Sequence, residues 1–241
     1  MNAAHLALIG LVPLAYLLGS VPFGFLVAKT RGVDPRKAGS GNIGATNVGR
    51  LLGFKFFVIV FTLDLLKGLI PMLAAGVVLD RLANPAQEYL ARDYALWLLV
   101  GFSAIFGHMF SLFLHFKGGK GVATSAGVIL GLFPYYTYPA LIAILVFAIA
   151  FKLTRYVSLA SMLGSGFFSI AYLAMGLAFH WPVFGQQWPL LAFAVLMGGL
   201  IIYKHRGNLA RLRSGTEHRI GTRAEVDETR PLSDPEVRVT E

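Results

Sequence analysis

Long apolar stretches alternate with short polar ones along almost the whole chain. Seven apolar runs cover residues 4–28, 51–79, 94–116, 122–133, 135–151, 157–179 and 188–203. A helix needs ~20 apolar residues to cross the hydrocarbon core of a bilayer. Most of the runs approach or exceed that length, whereas the fourth has only about half of it. The pattern predicts an all-α integral membrane protein that crosses the bilayer several times.

The charges between the runs predict the membrane topology, that is, on which side of the bilayer each connection lies. The connections at residues 80–93 and 180–187 are nearly neutral. Lysine and arginine are concentrated in the other connections, which are residues 29–50, 117–121 and 152–155 and the segment after residue 203. All the basic connections lie on the same side of the membrane only if the short fourth run also crosses the bilayer. By the positive-inside rule we predict a seven-helix bundle with a short fourth helix, an outside N-terminus and a cytoplasmic C-terminus.

Composition agrees with a membrane protein and removes several kinds of chemistry. Hydrophobic residues make up 56% of the 241 residues, and charged residues make up only 14%. The net charge of +9 would favour nucleic-acid binding in a soluble protein, but here topology accounts for it and no nucleic-acid partner is expected. The absence of cysteine excludes disulfides and thiolate nucleophiles. We interpret residues 1–213 as one membrane domain and residues 214–241 as a mostly disordered cytoplasmic tail.

The first cluster of polar residues lies at residues 39–50, which we call the first motif. Glycine lets backbone amides approach a ligand closely, and short polar side chains with one fixed charge suit a phosphate. A flexible polar loop is the alternative. The pattern Gly39-x-Gly41-x-x-Gly44 matches a dinucleotide fingerprint, but that motif requires a strand before it and a helix after it, so we reject this function. The candidate contacts are Gly39, Ser40, Gly41, Asn42, Thr46, Asn47 and Arg50.

The second motif, residues 107–124, contains the sequence Lys-Gly-Gly-Lys-Gly at residues 117–121. It fails the ATP-binding phosphate-loop pattern, because Leu114 and Gly121 stand where glycine and serine or threonine are needed. Small residues before a helix N-terminus, together with a lysine, still suit an anion. The alternative is that the lysines only set topology, and that His108 is a neutral histidine bonded to a neighbouring helix. The candidate contacts are His108, Lys117, Gly118, Gly119, Lys120, Gly121 and Thr124.

The third motif, residues 205–217, follows the last apolar run. His205, Asn208 and Glu217 are its candidate functional residues, although Glu217 could equally be the first acid of a solvated tail. Two other polar features have structural interpretations. Asp64 and Lys67 share one face of a spanning helix and are interpreted as a buried ion pair. Ser158 is a good residue type for a helix N-cap.

With the three motifs in view, the sequence resembles the bacterial acyl-phosphate:glycerol-3-phosphate acyltransferases, the PlsY family. The resemblance also includes Gly-Ser-Val-Pro-Phe-Gly at residues 19–24, and it extends from residue 1 to about residue 217. It implies a seven-helix enzyme of the bacterial inner membrane whose active site opens to the cytoplasm. The reaction it implies transfers a fatty acyl group from acyl phosphate to the 1-hydroxyl of sn-glycerol 3-phosphate, the first step of phospholipid synthesis.

The resemblance further implies that lysophosphatidic acid and inorganic phosphate are the products. It implies no need for acyl-CoA, acyl carrier protein, a metal or any other cofactor. The first motif would handle acyl phosphate, and the Gly/Lys loop would bind glycerol 3-phosphate. The catalytic residues would be Ser40, Arg50, Lys120, His205, Asn208 and Glu217, with the remaining candidates as substrate contacts.

Elementary chemistry agrees with this function. Each phosphate carries roughly −1.5 to −2 charges, so two of them need several nearby cations. Acyl phosphate is already activated, and the sequence shows no Ser–His–Asp arrangement. We therefore expect direct attack by the hydroxyl without an acyl-enzyme, and proton transfer to an acyl-phosphate oxygen or to Glu217.

Two other functions share some of these features. A transporter or channel for an anionic substrate would have a similar helix count, but transporters often show two related halves, which this sequence lacks. A scaffold that binds anionic lipid would explain the basic loops but not the first motif. The sequence predicts neither the oligomeric state nor the preferred acyl chain.

Overall fold

A computed structural model describes residues 2–82 and 89–220, and over those ranges it contains helices and no strands. The α-helices are α1 (Ala3–Ser20), α2 (Phe23–Lys29), α3 (Ala45–Leu52), α4 (Phe54–Leu82), α5 (Ala91–Met109), α6 (Val122–Gly131), α7 (Thr137–Thr154), α8 (Val157–Ala178), α9 (Trp188–Lys204) and α10 (Arg206–Arg213). Each predicted apolar run coincides with a helix, or with α1 and α2 together. Residues 221–241, for which the sequence predicts disorder, lie outside the described residues.

The described helices have the lengths of a multi-pass membrane protein. Five stretches are long and apolar enough to cross a bilayer: Ala3–Lys29, Phe54–Leu82, Ala91–Leu114, Thr137–Thr154 and Val157–Ala178. α9 qualifies only together with α10, from which it is bent by 55°. α6 has ten residues and is therefore about 15 Å long, half of the ~30 Å hydrocarbon core. The predicted all-α membrane fold with a short fourth helix is confirmed, while the orientation of the termini stays a prediction.

One prediction was wrong: the second half of the first motif, which the sequence pattern places in the connection at residues 29–50, is a helix. α3 begins after Gly44 and buries Ala45 and Val48 against Ala28 and Val60, so it is a short amphipathic helix. At its end Gly53 has a φ of +96°, and α4 begins only at Phe54. In the sequence the apolar residues that end α3 continue directly into the next apolar run, and a short amphipathic helix leaves little periodic signal, so the pattern does not separate the two.

Small residues allow the main helix pairs to pack with their backbones close together. A Cβ on Gly19 would lie 2.1 Å from the Ala104 carbonyl oxygen, and one on Gly107 would lie 2.3 Å from that of Tyr16. These contacts join α1 to α5. Such packing is typical of membrane helices, where lipid offers no hydrophobic drive to helix association. It brings the C-terminal end of α5, the N-terminal end of α6 and the junction of α9 with α10 to one end of the bundle, beside α3.

Candidate active site

The three motifs meet at that end of the bundle. The Lys120 ammonium donates a hydrogen bond to Oδ1 of Asn208. The other side of the same amide, Nδ2, donates to Oε1 of Glu217 at 2.6 Å. Arg50 of the first motif donates to the carbonyl of His218 at 3.4 Å. We call the group formed by Arg50, Lys120, Asn208, Arg211 and Glu217 the polar cluster; Arg211 belongs to it through its contact with Glu217.

Glu217 is the most thoroughly held member of the polar cluster. It is only 7% exposed, so it is not the first acid of a solvated tail. Besides Asn208, its carboxylate accepts hydrogen bonds from Ser158 Oγ at 2.7 Å and Arg211 Nε at 2.8 Å. Burial alone would raise the pKa of Glu217, but these hydrogen bonds outweigh it and keep the pKa below its ordinary value. The carboxylate is therefore ionised at neutral pH and fixed in direction.

Glu217 reaches the site because the chain turns back after α10. Gly215 makes this turn with a φ of +74°, a conformation that costs glycine little. The amide of Ile220 then donates to the carbonyl of Arg155 at 3.0 Å, immediately before α8. We call residues 215–220 the return segment. It lays Glu217 against Ser158 in the first turn of α8.

The polar cluster carries an excess of positive charge. Arg50, Lys120 and Arg211 face the single carboxylate of Glu217. Burial lowers the pKa of Lys120 to about 8, while Glu217 opposes this shift. The Nε of Arg50 is buried and has no hydrogen-bond partner within the described residues. A buried donor without a partner is rare in proteins, so this guanidinium indicates a place for an anion.

Asn47 organises the loop that precedes α3. Its Oδ1 accepts from the amide of Ser40 at 2.8 Å, and a Cβ on Gly39 would lie 2.4 Å from this oxygen. Its Nδ2 donates to three loop carbonyls, those of Pro35, Ala38 and Asn42. Both the oxygen and the nitrogen of this buried amide thus have their partners inside the loop. Asn47 shapes the first motif here, and the predicted direct contact with substrate has no geometric support.

Among the other members of the first motif, some hold the loop in its conformation and others have side chains that are free to bind a ligand. Asn42 Oδ1 accepts from the amide of Gly44 at 2.8 Å, and Gly41 has a φ of +69°. Asn42 and Gly41 therefore help to fold the loop. The hydroxyls of Ser40 and Thr46 are only partly buried, and in the part of the chain that the structure describes they make no hydrogen bond. Their hydroxyls are therefore available to a ligand, as is the Nε of Arg50.

The glycines of the second motif serve close packing. The amide of Gly118 donates to the carbonyl of Met109, and that of Gly119 donates to the carbonyl of His108 at 3.0 Å. A Cβ on Gly119 would lie 2.3 Å from Nε2 of His108. The expectation that these two amides are free for an anion was therefore wrong. The free donors are instead those of the first turn of α6, which follows Gly121 (φ of +83°).

Four other predicted site residues lie around the polar cluster. His108 is buried beneath Gly119, and Thr124 is buried against Gly68 of α4, so both side chains lie in the interior and not at the surface of the site. His205 is also buried, and its Nδ1 donates to the carbonyl of Ile201 at 2.8 Å. Lys117 is exposed. The structure thus places Lys120, but not Lys117, in contact with the third motif.

Comparison with known proteins decides the family. A family model described as glycerol-3-phosphate acyltransferase matches residues 9–215. A glycerol-3-phosphate acyltransferase of Aquifex aeolicus is 44% identical over 209 residues, which are 87% of this chain and 97% of that protein. One of Thermus thermophilus is 44% identical over 220 residues, 88% of this chain and 95% of that protein. The chain belongs to the glycerol-3-phosphate acyltransferase family.

Solved structures of this acyltransferase family show the same architecture. A crystal structure of PlsY, an integral membrane glycerol 3-phosphate acyltransferase, in its glycerol 3-phosphate form is 42% identical and superimposes with a TM-score of 0.72. The match covers 90% of this chain and 96% of that one. The lysophosphatidic acid form of PlsY gives a TM-score of 0.70. The resemblance inferred from the three motifs is confirmed.

Two residues of this acyltransferase contact Glu217 but were absent from the predicted site. Arg211 follows Asn208 by three positions on α10, so helical spacing could have placed both on one face. Ser158 gave no such signal, since 59 residues separate it from Glu217. Its interpretation as an N-cap was wrong, because the N-cap of α8 is Tyr156 and the Ser158 hydroxyl is bonded to Glu217.

Proposed function

We propose that this protein transfers a fatty acyl group from acyl phosphate to the 1-hydroxyl of sn-glycerol 3-phosphate. The products are lysophosphatidic acid and inorganic phosphate, formed at the cytoplasmic face of a bacterial inner membrane. Membership of the glycerol-3-phosphate acyltransferase family supports the acceptor. The observation that carries the proposal is the polar cluster, where three cations converge on one fixed carboxylate beside the buried, unpartnered Nε of Arg50.

The charge of the polar cluster suits the acceptor. Three cations against one carboxylate leave an excess of two positive charges, which balances the roughly −2 charge of a phosphate monoester. The proposed phosphate position lies between Lys120, Arg50 and the first-turn amides of α6, where the helix dipole also favours an anion. Asn208 and Glu217 would then orient the glycerol hydroxyls.

The first motif is proposed to hold the acyl phosphate. Its loop is fixed by Asn47, and the Ser40 and Thr46 hydroxyls remain available to donate to phosphate oxygens. The acyl chain would lie against the apolar helices from the membrane side. Acyl-CoA and acyl carrier protein play no part in this scheme.

The chemical step follows from these positions. The 1-hydroxyl oxygen attacks the acyl carbon, the bond from that carbon to the phosphate oxygen breaks, and phosphate leaves with the electron pair. Glu217 is a poor proton acceptor, because three donors hold it ionised and its pKa is low. The proton therefore passes to a phosphate oxygen. Arg50, which belongs to the first motif, stabilises the charge that develops on the leaving phosphate.

This scheme has no acyl-enzyme. Within residues 2–82 and 89–220 no basic side chain is hydrogen-bonded to the Ser40 hydroxyl, and a serine nucleophile needs an adjacent base. The contribution of the protein is to orient two bound substrates and to stabilise charge.

Purified protein in proteoliposomes provides the test. With acyl phosphate and glycerol 3-phosphate together, we expect inorganic phosphate and lysophosphatidic acid to form in equal amounts. Acyl-CoA offered in place of acyl phosphate should give no product. Product from acyl-CoA but none from acyl phosphate would refute the donor. Uptake of glycerol 3-phosphate into the vesicles without any new ester would support a transporter instead.

A further inference from the structure

A buried ion pair lies in the middle of α4, outside all three motifs. Asp64 and Lys67 are each 2% exposed, and the Lys67 ammonium lies 2.8 Å from Oδ1 of Asp64. Lys67 also donates to the carbonyl of Val21 at 3.0 Å, between α1 and α2. Charges within a spanning helix are costly, and they are often retained for function. Because an apolar pair of similar volume is often as stable, stability alone does not explain this one.

The ion pair contacts His108, which supports residues 117–121, called here the Lys120 loop. Nδ1 of His108 lies 3.6 Å from the same Oδ1 of Asp64. The opposite side of the ring, Nε2, lies directly beneath Gly119, and the His108 carbonyl accepts the Gly119 amide. A shift of this imidazole would therefore displace the backbone next to Lys120.

The same part of α4 also holds the other end of that loop. A Cβ on Gly68 would lie 2.2 Å from the carbonyl oxygen of Thr124, in the first turn of α6. One turn further along α6, a Cβ on Gly127 would lie 2.0 Å from the carbonyl oxygen of Leu65. The residues next to Asp64 and Lys67 thus pack directly on α6. The loop is supported by α4 on both sides, through His108 before it and through α6 after it.

We infer that Asp64, Lys67 and His108 are positioning residues that fix the Lys120 loop for glycerol 3-phosphate. This inference rests on the proposed function. All three side chains are buried, and of the three only His108 is shown against the loop, so they act on the acceptor through the loop backbone. The ion pair directs the Asp64 carboxylate toward His108, and His108 sets the height of Gly119. Small displacements of positioning groups can cost up to about 100-fold in rate, so the effect is measurable.

The experiment compares three variants of the full chain. Asp64→Asn removes the charge with little change in shape and leaves Lys67 unpaired. The double variant Asp64→Leu/Lys67→Met replaces the ion pair by apolar groups, which avoids an unpaired buried charge. Asp93→Asn is the matched control, since Asp93 forms a buried pair with His5 at 2.7 Å at the opposite end of α5. Thermal stability and the KM for each substrate are measured for all three.

For both Asp64 variants we expect the KM for glycerol 3-phosphate to rise about 10-fold, while that for acyl phosphate stays within about 2-fold. The double variant should keep the melting temperature of the unaltered protein. Asp93→Asn should lower the melting temperature and leave both KM values unchanged. A double variant with normal stability and an unchanged KM for glycerol 3-phosphate would overturn the inference, as would an equal rise for both substrates.

A second readout separates this inference from the proposed function. The chain has no cysteine, so a spin label at Phe116→Cys, an exposed position beside the loop, reports loop order directly. We expect faster label motion in the double variant and no change in Asp93→Asn. If the unaltered protein forms no lysophosphatidic acid but the label still responds, the proposed function fails and the support of the loop stands. If the protein is active but label motion is unchanged, only the positioning inference fails.

Discussion

The lowered pKa of Lys120 predicts a distinctive pH dependence. Burial lowers this pKa to about 8, so the ammonium form is lost as the pH rises through 8. Between pH 7 and pH 9 its charged fraction falls from about 90% to about 10%. The second pKa of a phosphate monoester is ≈ 6, so glycerol 3-phosphate stays dianionic over this window. We therefore expect kcat/KM for glycerol 3-phosphate to fall about tenfold from pH 7 to pH 9.

Two substitutions test whether Lys120 is the group that causes this pH dependence. Lys120→Ala removes a charged hydrogen bond worth roughly 1.5–3 kcal/mol, so kcat/KM at pH 7 should fall about 10- to 100-fold. Lys120→Arg keeps its charge far above pH 9. Its geometry is different, so its activity should be lower at pH 7, but the decline toward pH 9 should disappear.

The assay is phosphate release by purified protein at pH 7, 8 and 9. A blank without protein corrects for spontaneous hydrolysis of acyl phosphate at each pH. The reasoning fails if the unaltered protein shows a flat profile over this range. It also fails if Lys120→Arg declines as steeply as the unaltered protein, because the titrating group would then lie elsewhere.

Three further predictions concern the loop, the fixed carboxylate and the absence of an acyl-enzyme. Asn47→Asp removes the amide donors to three loop carbonyls, so the KM for acyl phosphate should rise at least about 10-fold; an unchanged value would contradict the role of Asn47 in holding the first motif. Ser158→Ala removes one of the three donors to Glu217 and should lower kcat/KM about 5- to 10-fold, whereas Ser161→Ala, on the same helix but bonded to the Val157 carbonyl, should not. Intact mass spectrometry after incubation with acyl phosphate alone should show no acyl adduct, and an adduct on Ser40 would refute direct attack.

Much of the fold follows from the length of the apolar runs and the charges between them. The seven runs each contain helix, and the short fourth run becomes the ten-residue helix α6. α3 was missed because its eight residues give only two turns, too few for a periodic signal. Its apolar end also continues directly into the next apolar run in the sequence. The local pattern therefore located the long apolar helices but not the short helix α3.

The sequence predicts which residue types form the candidate site, but not which of them are free for substrate and which hold the backbone in place. A glycine next to a lysine is expected both where a backbone amide binds an anion and where two segments pack closely. The sequence alone does not distinguish these two roles. Only the structure shows that Gly119 is pressed against His108. Likewise, Asn47 and Asn42 are the right residue type for a ligand, yet the loop uses them internally. The role of Ser158 could not be predicted from the sequence, because its contact with Glu217 depends on tertiary folding alone.

The return segment makes the site depend on the last stretch of chain that the structure describes. Helices α1 to α10 end at Arg213, whereas Glu217 follows them and reaches Ser158 only after the turn at Gly215. Without the return segment the cations would face one another without their carboxylate, and Ser158 and Asn208 would lack their common acceptor. Such a chain would keep every helix named above and still have an incomplete site. Activity therefore depends on a contact outside the helices, the docking of residues 215–220 on α8.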